Sequence, residues 1–158
     1  CPDGWHIPSA LEWQTDLFNV VKNQGHGCEE CREIQMPGLG SYRECNDFGG
    51  NNVAKALATK NGWGVPVSGI GENCFPGVNP QDNNTTSFNW MPAGYRIQNS
   101  STFVSLGDYG FNWSSTQYQE QGLERSYYAR IKKDLATTTA YGVSSKSMGA
   151  SIRCIKDY

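Results

Sequence analysis

The sequence has no long apolar run, no strong excess of charge of either sign and only two histidines. No stretch approaches the roughly 18 apolar residues that a membrane-spanning helix needs. The net charge of −2, with no basic run longer than two residues, argues against a nucleic-acid-binding protein. Aliphatic residues are scarce, but 5 Trp, 8 Tyr, 6 Phe and 6 Cys supply bulk for a core. Because the chain is also nearly neutral, it is not expected to be disordered.

The common catalytic motifs are also missing from the sequence. It has no Ser-His-Asp order, no nucleophile elbow, no HExxH helix and no glycine-rich phosphate loop. The two histidines are His6 and His26, and His6 lies inside a motif of structural character. We therefore expect a protein that is not an enzyme and that needs no cofactor.

The cysteines form an even set, which in a loop-rich chain predicts three disulfides and an oxidising compartment. Fifteen pairings are possible. A bridge between Cys1 and Cys154 would tie the two ends together, and the other four could pair among themselves. The alternative is a four-thiolate zinc site, in which Cys28 and Cys31 have the Cys-x-x-Cys spacing of zinc ligands and Cys45 and Cys74 complete the set, although no second close pair follows. The six residues are Cys1, Cys28, Cys31, Cys45, Cys74 and Cys154.

Two helices are predicted in the first half of the chain. Ser9 and Glu12 have the spacing of a capping box, and Gly25 is typical of a helix end. Between them, apolar residues recur at helical spacing over residues 10–22, namely Trp13, Leu17, Val20 and Val21. A second helix is expected over residues 53–60, capped by Asn51 or Asn52 and stopped by Gly62.

The rest of the chain is predicted to form loops and short strands. Residues 24–49 are interpreted as a long disulfide-stapled loop, and residues 64–86 as an irregular loop. Short strand-like runs, bounded by Gly, Asn, Asp or Ser, follow at 87–91, 102–106, 110–113, 126–132, 137–143 and 150–155. Helices followed by antiparallel strands indicate an α+β class, and the length indicates one domain spanning residues 1–158.

Four motifs resemble those of one protein family. They are residues 1–9 (CPDGWHIPS) followed by Glu12-Trp13, residues 88–96 (FNWMPAGYR), residues 112–116 (NWSST) and residues 151–157 (SIRCIKD). In this order they resemble the Fibrobacter succinogenes major paralogous domain. The first is also similar to the opening of formylglycine-generating-enzyme-like folds. The resemblance implies a C-type-lectin-like fold, with two helices packed on a short-stranded antiparallel sheet, in a fragment of a larger bacterial surface or secreted protein.

The sequence departs from that family's pattern in two respects. Residues 24–49 are an insertion, and residues 64–86 form a longer link than is typical. The family's strand before the Cys-Pro motif is also absent, so it is either missing or supplied by another segment or chain. Formylglycine-generating enzymes use a reactive cysteine pair near the C-terminus. The last third of this chain has only Cys154, which disfavours that activity.

The late strands are the candidate ligand-binding surface, because they form an exposed ligand surface in C-type-lectin-like folds. Mixed Tyr, Arg and Ser side chains suit recognition, although they also suit an ordinary solvated sheet face. Similar folds serve as variable domains diversified by retroelements in this same region. The candidate residues are Tyr118, Glu120, Glu124, Arg125, Tyr127, Tyr128, Arg130, Lys132, Lys133, Tyr141, Ser144 and Ser145.

The function expected from these features is ligand binding by an adhesin or recognition domain at a bacterial cell surface. The ligand would be a protein or a glycan. Calcium is a possible addition through Asp82, Asn83 and Asn84, although a solvated loop also explains these residues. The alternative is a structural subunit of a surface assembly such as a pilus, completed by a neighbour's strand. A formylglycine-generating type of enzyme is the third interpretation.

Overall fold

The computed structural model of the protein describes residues 1–26, 28, 30–36, 40–46, 53–66, 72–119 and 122–157. Two helices, α1 and α2, begin at Ala10 and Ala54. The strands are β1 (Trp5–His6), β2 (Glu30–Met36), β3 (Gly40–Asn46), β4 (Tyr95–Arg96), β5 (Phe103–Val104), β6 (Tyr109–Tyr118), β7 (Arg125–Lys132), β8 (Thr139–Ser145) and β9 (Ile155–Lys156). The strands form small antiparallel sheets, which confirms the α+β class.

The first helix confirms the prediction over residues 10–22, but its turns are wider than expected. The capping box is present: the Glu12 amide donates to the Ser9 hydroxyl, and the Ser9 amide donates to the Glu12 carboxylate. Regular helix, α1 (Ala10–Glu12), continues into π-helical turns from Trp13–Asn19 onward, and Gly25, with a φ of 84°, breaks the helix within Lys22–His26, where the sequence predicts its end. The wider turn brings residues five apart onto one face, so Phe18 is buried with Trp13.

The second helix is shorter than predicted. It spans α2 (Ala54–Leu57), because Ala58 is extended and bridges to Trp90. Its N-cap is Val53, which makes no side-chain capping bond, and the predicted caps Asn51 and Asn52 lie outside the described residues. The pairing of Ala58 with Trp90 thus replaces the last predicted turn.

The central sheet has the order β6-β7-β8. Ala129 and Ile131 of β7 and Ala140 of β8 are buried on the face that meets both helices. There they join a core of aromatic and small residues that comprises Trp13, Phe18, Val53, Leu57 and Trp90 among others. The predicted strands 110–113, 126–132 and 137–143 are all present, and the first is extended to Tyr118.

A β-hairpin replaces part of the loop predicted over residues 24–49. Strands β2 and β3 pair in register, with Ile34 opposite Tyr42 and Cys31 opposite Cys45. The loop prediction was therefore wrong for Glu30–Met36 and Gly40–Asn46. In the sequence, two runs of equal length flank Pro37-Gly38, a dipeptide typical of turns, and this spacing is a hairpin pattern.

The remaining strands are short. Strand β1 pairs with β9, and β4 pairs with β5. The predicted strand 87–91 is reduced to the Trp90 bridge, because Ser87 and Asn89 adopt positive φ angles that interrupt an extended run. The predicted strand 150–155 is reduced to a bridge at Ser151 and the start of β9. Residues 64–66 and 72–86 contain only single 3-10 turns, Glu72–Cys74 and Pro80–Asp82, as expected for an irregular loop.

Two disulfides join distant parts of the chain. Cys1 bonds to Cys154, as expected for a bridge that ties the ends, and Cys28 bonds to Cys74. The second bond rules out the four-thiolate zinc site, because two of its four ligands are consumed as cystine. None of the helices in the described residues has the length and apolar character of a membrane span.

Candidate functional site

A groove lies on the face of the central sheet opposite the helices. Successive side chains of a strand project to opposite faces, so Tyr109, Phe111 and Trp113 share one face of β6. On β7 their register partners include Arg130, opposite Phe111, and Tyr128, opposite Trp113. These cross-strand pairs build a continuous aromatic surface whose reverse side is the buried core.

The groove encloses a cavity of about 450 Å³, which is in the range of small-ligand sites. Its lining combines three tyrosines and a phenylalanine with one cation, two serine hydroxyls and one thioether. The residues are Tyr95, Ser105, Tyr109, Phe111, Tyr128, Arg130, Ser144 and Met148. We call this the tyrosine groove.

Phe111 holds the aromatic walls of the tyrosine groove in place. Its ring centre lies 5.2 Å from that of Tyr95, 5.5 Å from Tyr109 and 5.1 Å from Tyr128. Two of these contacts are edge-to-face and one is stacked, which are the favourable geometries for aromatic pairs. Since Phe111 is itself buried, the tyrosines rest on a fixed support.

Gly142 makes room for one wall of the groove. It is the register partner of Tyr128 on β8, and the Tyr128 ring lies over its Cα. A Cβ at position 142 would overlap atoms of that ring, so a larger residue would displace Tyr128. The glycine therefore determines where the ring of Tyr128 can lie.

Two cations lie against the Tyr109 ring. The Arg130 guanidinium carbon and the Lys132 Nζ are each 5.7 Å from its centre. Lys132 is also ion-paired with Asp134 at 2.9 Å, and its pKa is raised chiefly by the hydrogen bond to that carboxylate. Arg130 has no ion pair with any described carboxylate, so its charge remains available to a ligand in the groove.

The predicted surface residues are divided between the two faces of the sheet. Tyr128, Arg130 and Ser144 line the tyrosine groove, and Lys132 lies beside it. Tyr127 instead contacts Tyr118 and Tyr141 edge-to-face, with ring centres 5.5 and 5.8 Å apart. We call these three the tyrosine ladder; Tyr141, at its end, is 50% exposed.

The other predicted residues lie outside the groove. Glu124 pairs with Lys146 at 3.1 Å, and Lys133 pairs with Asp108 at 2.7 Å. The Ser145 hydroxyl is 2.9 Å from that of Ser147, and Arg125 is the register partner of Tyr118 at the strand end. Glu120 lies outside the described residues.

Sequence reasoning missed five of the eight residues that line the groove. Tyr95, Ser105, Tyr109, Phe111 and Met148 line it but were not among the candidates. The alternation of Tyr109, Phe111 and Trp113 was a usable signal, because a strand with this period presents all three on one face. Tyr95 and Ser105 had no such signal, since they reach the groove through the short β4–β5 pair.

The suggested calcium loop is held together by its own amides. The Asn83 side chain donates to the carbonyls of Thr59 and Pro76 at 2.8 and 2.9 Å, and Asn84 bonds to Asn89. These contacts give both side chains a structural role. Across the described ranges, no group of three His, Cys, Asp or Glu side chains is arranged to hold a metal ion.

One comparison with known proteins found a match. The sequence profile of the family described as the Fibrobacter succinogenes major domain matches residues 1–156. No curated protein and no solved structure matches the chain. The match covers the motif-bearing segments from the Cys-Pro opening to the closing residues.

Proposed function

This chain belongs to the Fibrobacter succinogenes major domain family, and we propose that it is a ligand-binding module that recognises a protein or a glycan through the tyrosine groove. The observation that carries the proposal is the groove itself: an open cavity with rigid aromatic walls and an unpaired arginine. Tyr and Arg are the side chains enriched at binding hot spots.

The composition of the groove favours binding over catalysis. Its aliphatic hydroxyls belong to Ser105 and Ser144, and its described lining includes no His, Cys, Asp or Glu that could activate them. Tyrosine rings offer large contact area at a low entropic cost, and their hydroxyls can bond polar groups. A sugar ring or a peptide side chain could pack on Tyr109 or Tyr128 while Arg130 binds a polar or anionic substituent.

A C-type-lectin-like fold and an extracellular or cell-surface location are part of this proposal. Two helices against a small antiparallel sheet are compatible with that fold. The disulfides support an oxidising compartment, because such bonds persist mainly in secreted and surface proteins. In a retroelement-diversified adhesin, exposed groove residues would be the ones to vary, while Phe111 and Gly142 would stay fixed.

The test compares two adjacent tyrosines that point to opposite faces. Binding of the purified chain to a glycan array and to host-cell surface proteins would be measured with and without a chelator. Tyr128→Ala should weaken binding about tenfold or more, which corresponds to the loss of a hot-spot contact. Tyr127→Ala removes a similar ring from the tyrosine ladder and should leave binding unchanged.

Thermal unfolding of both variants serves as the folding control. Loss of binding in Tyr127→Ala alone would indicate that the ligand binds at the tyrosine ladder, and it would contradict the proposal that the tyrosine groove is the binding site. Chelator-sensitive binding would move it to a metal loop. Binding of no probe at all would favour the second candidate function.

The second candidate is a structural subunit of a surface assembly, and it rests on the β1–β9 pair. These two strands form an isolated two-stranded sheet within the described ranges, and such a sheet has edges open to another strand. A neighbouring subunit could add a strand there. Concentration-dependent fibres in the electron microscope would support this function, and a chain that stays monomeric at all concentrations would oppose it.

A further inference from the structure

A second cavity lies on the other side of β6, where the strand meets the closing segment of the chain. It has a volume of about 250 Å³, and its polar side chains are those of Asn89, Asn112, Ser151 and Arg153. Its backbone is fixed by a bridge between Asn112 and Ser151 and by the Trp113 amide, which donates to the Ser151 carbonyl at 3.0 Å. We call it the closing-segment cavity.

Arg153 is a half-buried cation without a counter-ion. Its guanidinium carbon lies 3.8 Å from the centre of the Phe88 ring, so one face of the group is covered by an aromatic side chain. No described carboxylate lies within 4 Å of it. Burial lowers the pKa of Arg153, in keeping with a charge that has lost water without gaining an anion.

Asn112 is a largely buried residue whose side-chain amide bonds to no residue that the structure describes. The residue is only 6% exposed, and its side chain makes no hydrogen bond within the described part of the chain. The two buried serines nearby are satisfied: the Ser114 hydroxyl accepts from the Thr116 amide, and the Ser126 hydroxyl donates to the Thr116 carbonyl. The unbonded amide atoms of Asn112 are not among the fully enclosed ones in the described residues, so they are accessible from the cavity that the residue lines and are open to a ligand.

The rest of the lining supplies two more polar side chains and an apolar rim. Asn89 is already bonded to the Asn84 side chain and the Ser87 carbonyl. The Ser151 hydroxyl also makes no hydrogen bond to a described residue. Met91 and Ile152, at the mouth, are 66% and 60% exposed, which is unusual for side chains of their size. A ligand with a charged end and a short apolar part would match both portions of the cavity.

We propose that the closing-segment cavity binds a carboxylate, with Arg153 as its counter-ion and the Asn112 amide and Ser151 hydroxyl as hydrogen-bond donors. A guanidinium presents two parallel N–H groups that match the two carboxylate oxygens. A single cation balances one carboxylate, whereas a phosphate would bring nearly twice the charge. The carbon skeleton of the ligand would lie against Met91 and Ile152.

This site is separate from the tyrosine groove and does not depend on the proposed function. The groove lies on the face of β6 that carries Phe111, and Asn112 is the next residue along the strand, so it projects to the opposite face. The lining of one cavity shares no residue with that of the other. The two sites can therefore be tested independently.

The primary test is a titration with sodium propionate, followed through the side-chain amide signal of Asn112 and the Nε–H signal of Arg153 in nitrogen–proton correlation spectra. Both signals should shift and saturate with one common affinity. Propionamide, which has the same shape without the charge, should bind at least tenfold more weakly. Equal shifts with both probes, or shifts that never saturate, would overturn the proposal in favour of a cavity that holds only water.

Variants then assign the affinity to residues. Arg153→Gln and Asn112→Leu should each weaken propionate binding at least tenfold, whereas Lys146→Gln, which removes a surface cation outside both cavities, should leave it unchanged. Unaltered affinity in Arg153→Gln would exclude the site. Should that variant fail to fold, Arg153→Lys keeps the charge but loses the paired donors, and weaker propionate binding is still expected.

A second pair of probes identifies the source of the carboxylate. Glucuronate presents it on a sugar ring, and N-acetylalanine presents it as a peptide end does. Tighter binding of glucuronate than of propionate would indicate an acidic glycan, and tighter binding of N-acetylalanine would indicate a polypeptide terminus. Failure of propionate, glucuronate and N-acetylalanine alike would refute the carboxylate site while leaving the tyrosine groove untouched.

Discussion

His6 and Asp157 join the two ends of the chain through a hydrogen bond of 2.6 Å between Nδ1 and a carboxylate oxygen. The other ring nitrogen of His6 lies 2.9 Å from the Glu12 carboxylate, so the imidazole bridges two acids. Glu12 also forms the capping box of the first helix. One histidine thus links the N-terminal motif, the helix start and the closing segment.

The first prediction is a pH dependence of stability through His6. Its pKa is raised above 6.5, chiefly by the hydrogen bond to Asp157 and next by that to Glu12, with desolvation opposing. Because the pKa is higher in the folded state, protonation of the ring stabilises the fold, and this stabilisation is complete at pH values below the pKa of the unfolded chain. This contribution is lost as pH rises through the folded pKa.

The check is thermal unfolding of wild type and His6→Gln from about pH 6 to about pH 9, across the range in which histidine titrates. The wild type should be the more stable at the acid end, and the difference should shrink toward the alkaline end. His26→Gln is the matched control, since His26 lies 3.0 Å from the Thr85 hydroxyl and contacts no carboxylate of the described residues. A difference that stays constant with pH would refute the role of His6.

The sequence predicts the elements that depend on neighbouring residues better than those that depend on pairing between distant segments. The Ser9 cap, the first helix and the three long strands follow from spacing that nearest neighbours determine. Strands β1 and β4 have two residues each and exist only because β9 and β5 pair with them. The role of Asn112 is likewise set by a non-local pairing. Its side chain lines a cavity only because the closing segment of the chain lies beside β6.

The second prediction concerns the bond between Cys1 and Cys154. It closes a loop across 153 residues, with Cα atoms 5.7 Å apart. Replacing both cysteines by serine should lower the free energy of unfolding by about 2–5 kcal/mol, mainly because the unfolded chain gains freedom. Denaturant unfolding measures the loss. A change below about 0.5 kcal/mol would show that the His6 bridge and the β1–β9 pair hold the ends together without the disulfide.

The third prediction is that Cys31 and Cys45 form the third disulfide. The two are direct register partners in the β2–β3 hairpin. Partners in an antiparallel ladder have Cα atoms about 4.5–5.5 Å apart, which lies within the range of disulfides. Thiol titration of the unfolded, unreduced chain should therefore find no free thiol. Finding two thiols in the wild type but none in Cys31→Ser/Cys45→Ser would contradict the pairing.

The fourth prediction separates the observed π-helical turns from an ordinary α-helix. With ordinary turns, Leu17 would follow Trp13 on the buried face, whereas the wider turn buries Phe18 completely and leaves Leu17 at the edge of the core. Phe18→Ala should therefore cost about 3–5 kcal/mol, because it opens a cavity beside Trp13 and Trp90. Leu17→Ala should cost about 1 kcal/mol.

Denaturant unfolding of the two variants measures this difference, with Leu11→Ala as the control. Leu11 lies on the same helix but is 61% exposed, so its truncation should change stability by about 0.5 kcal/mol or less. A larger loss for Leu17→Ala than for Phe18→Ala would mean that the helix has ordinary α turns in solution. A larger loss of stability for Phe18→Ala is expected because the π-helical turn places Phe18, five residues after Trp13, on the same buried face as Trp13.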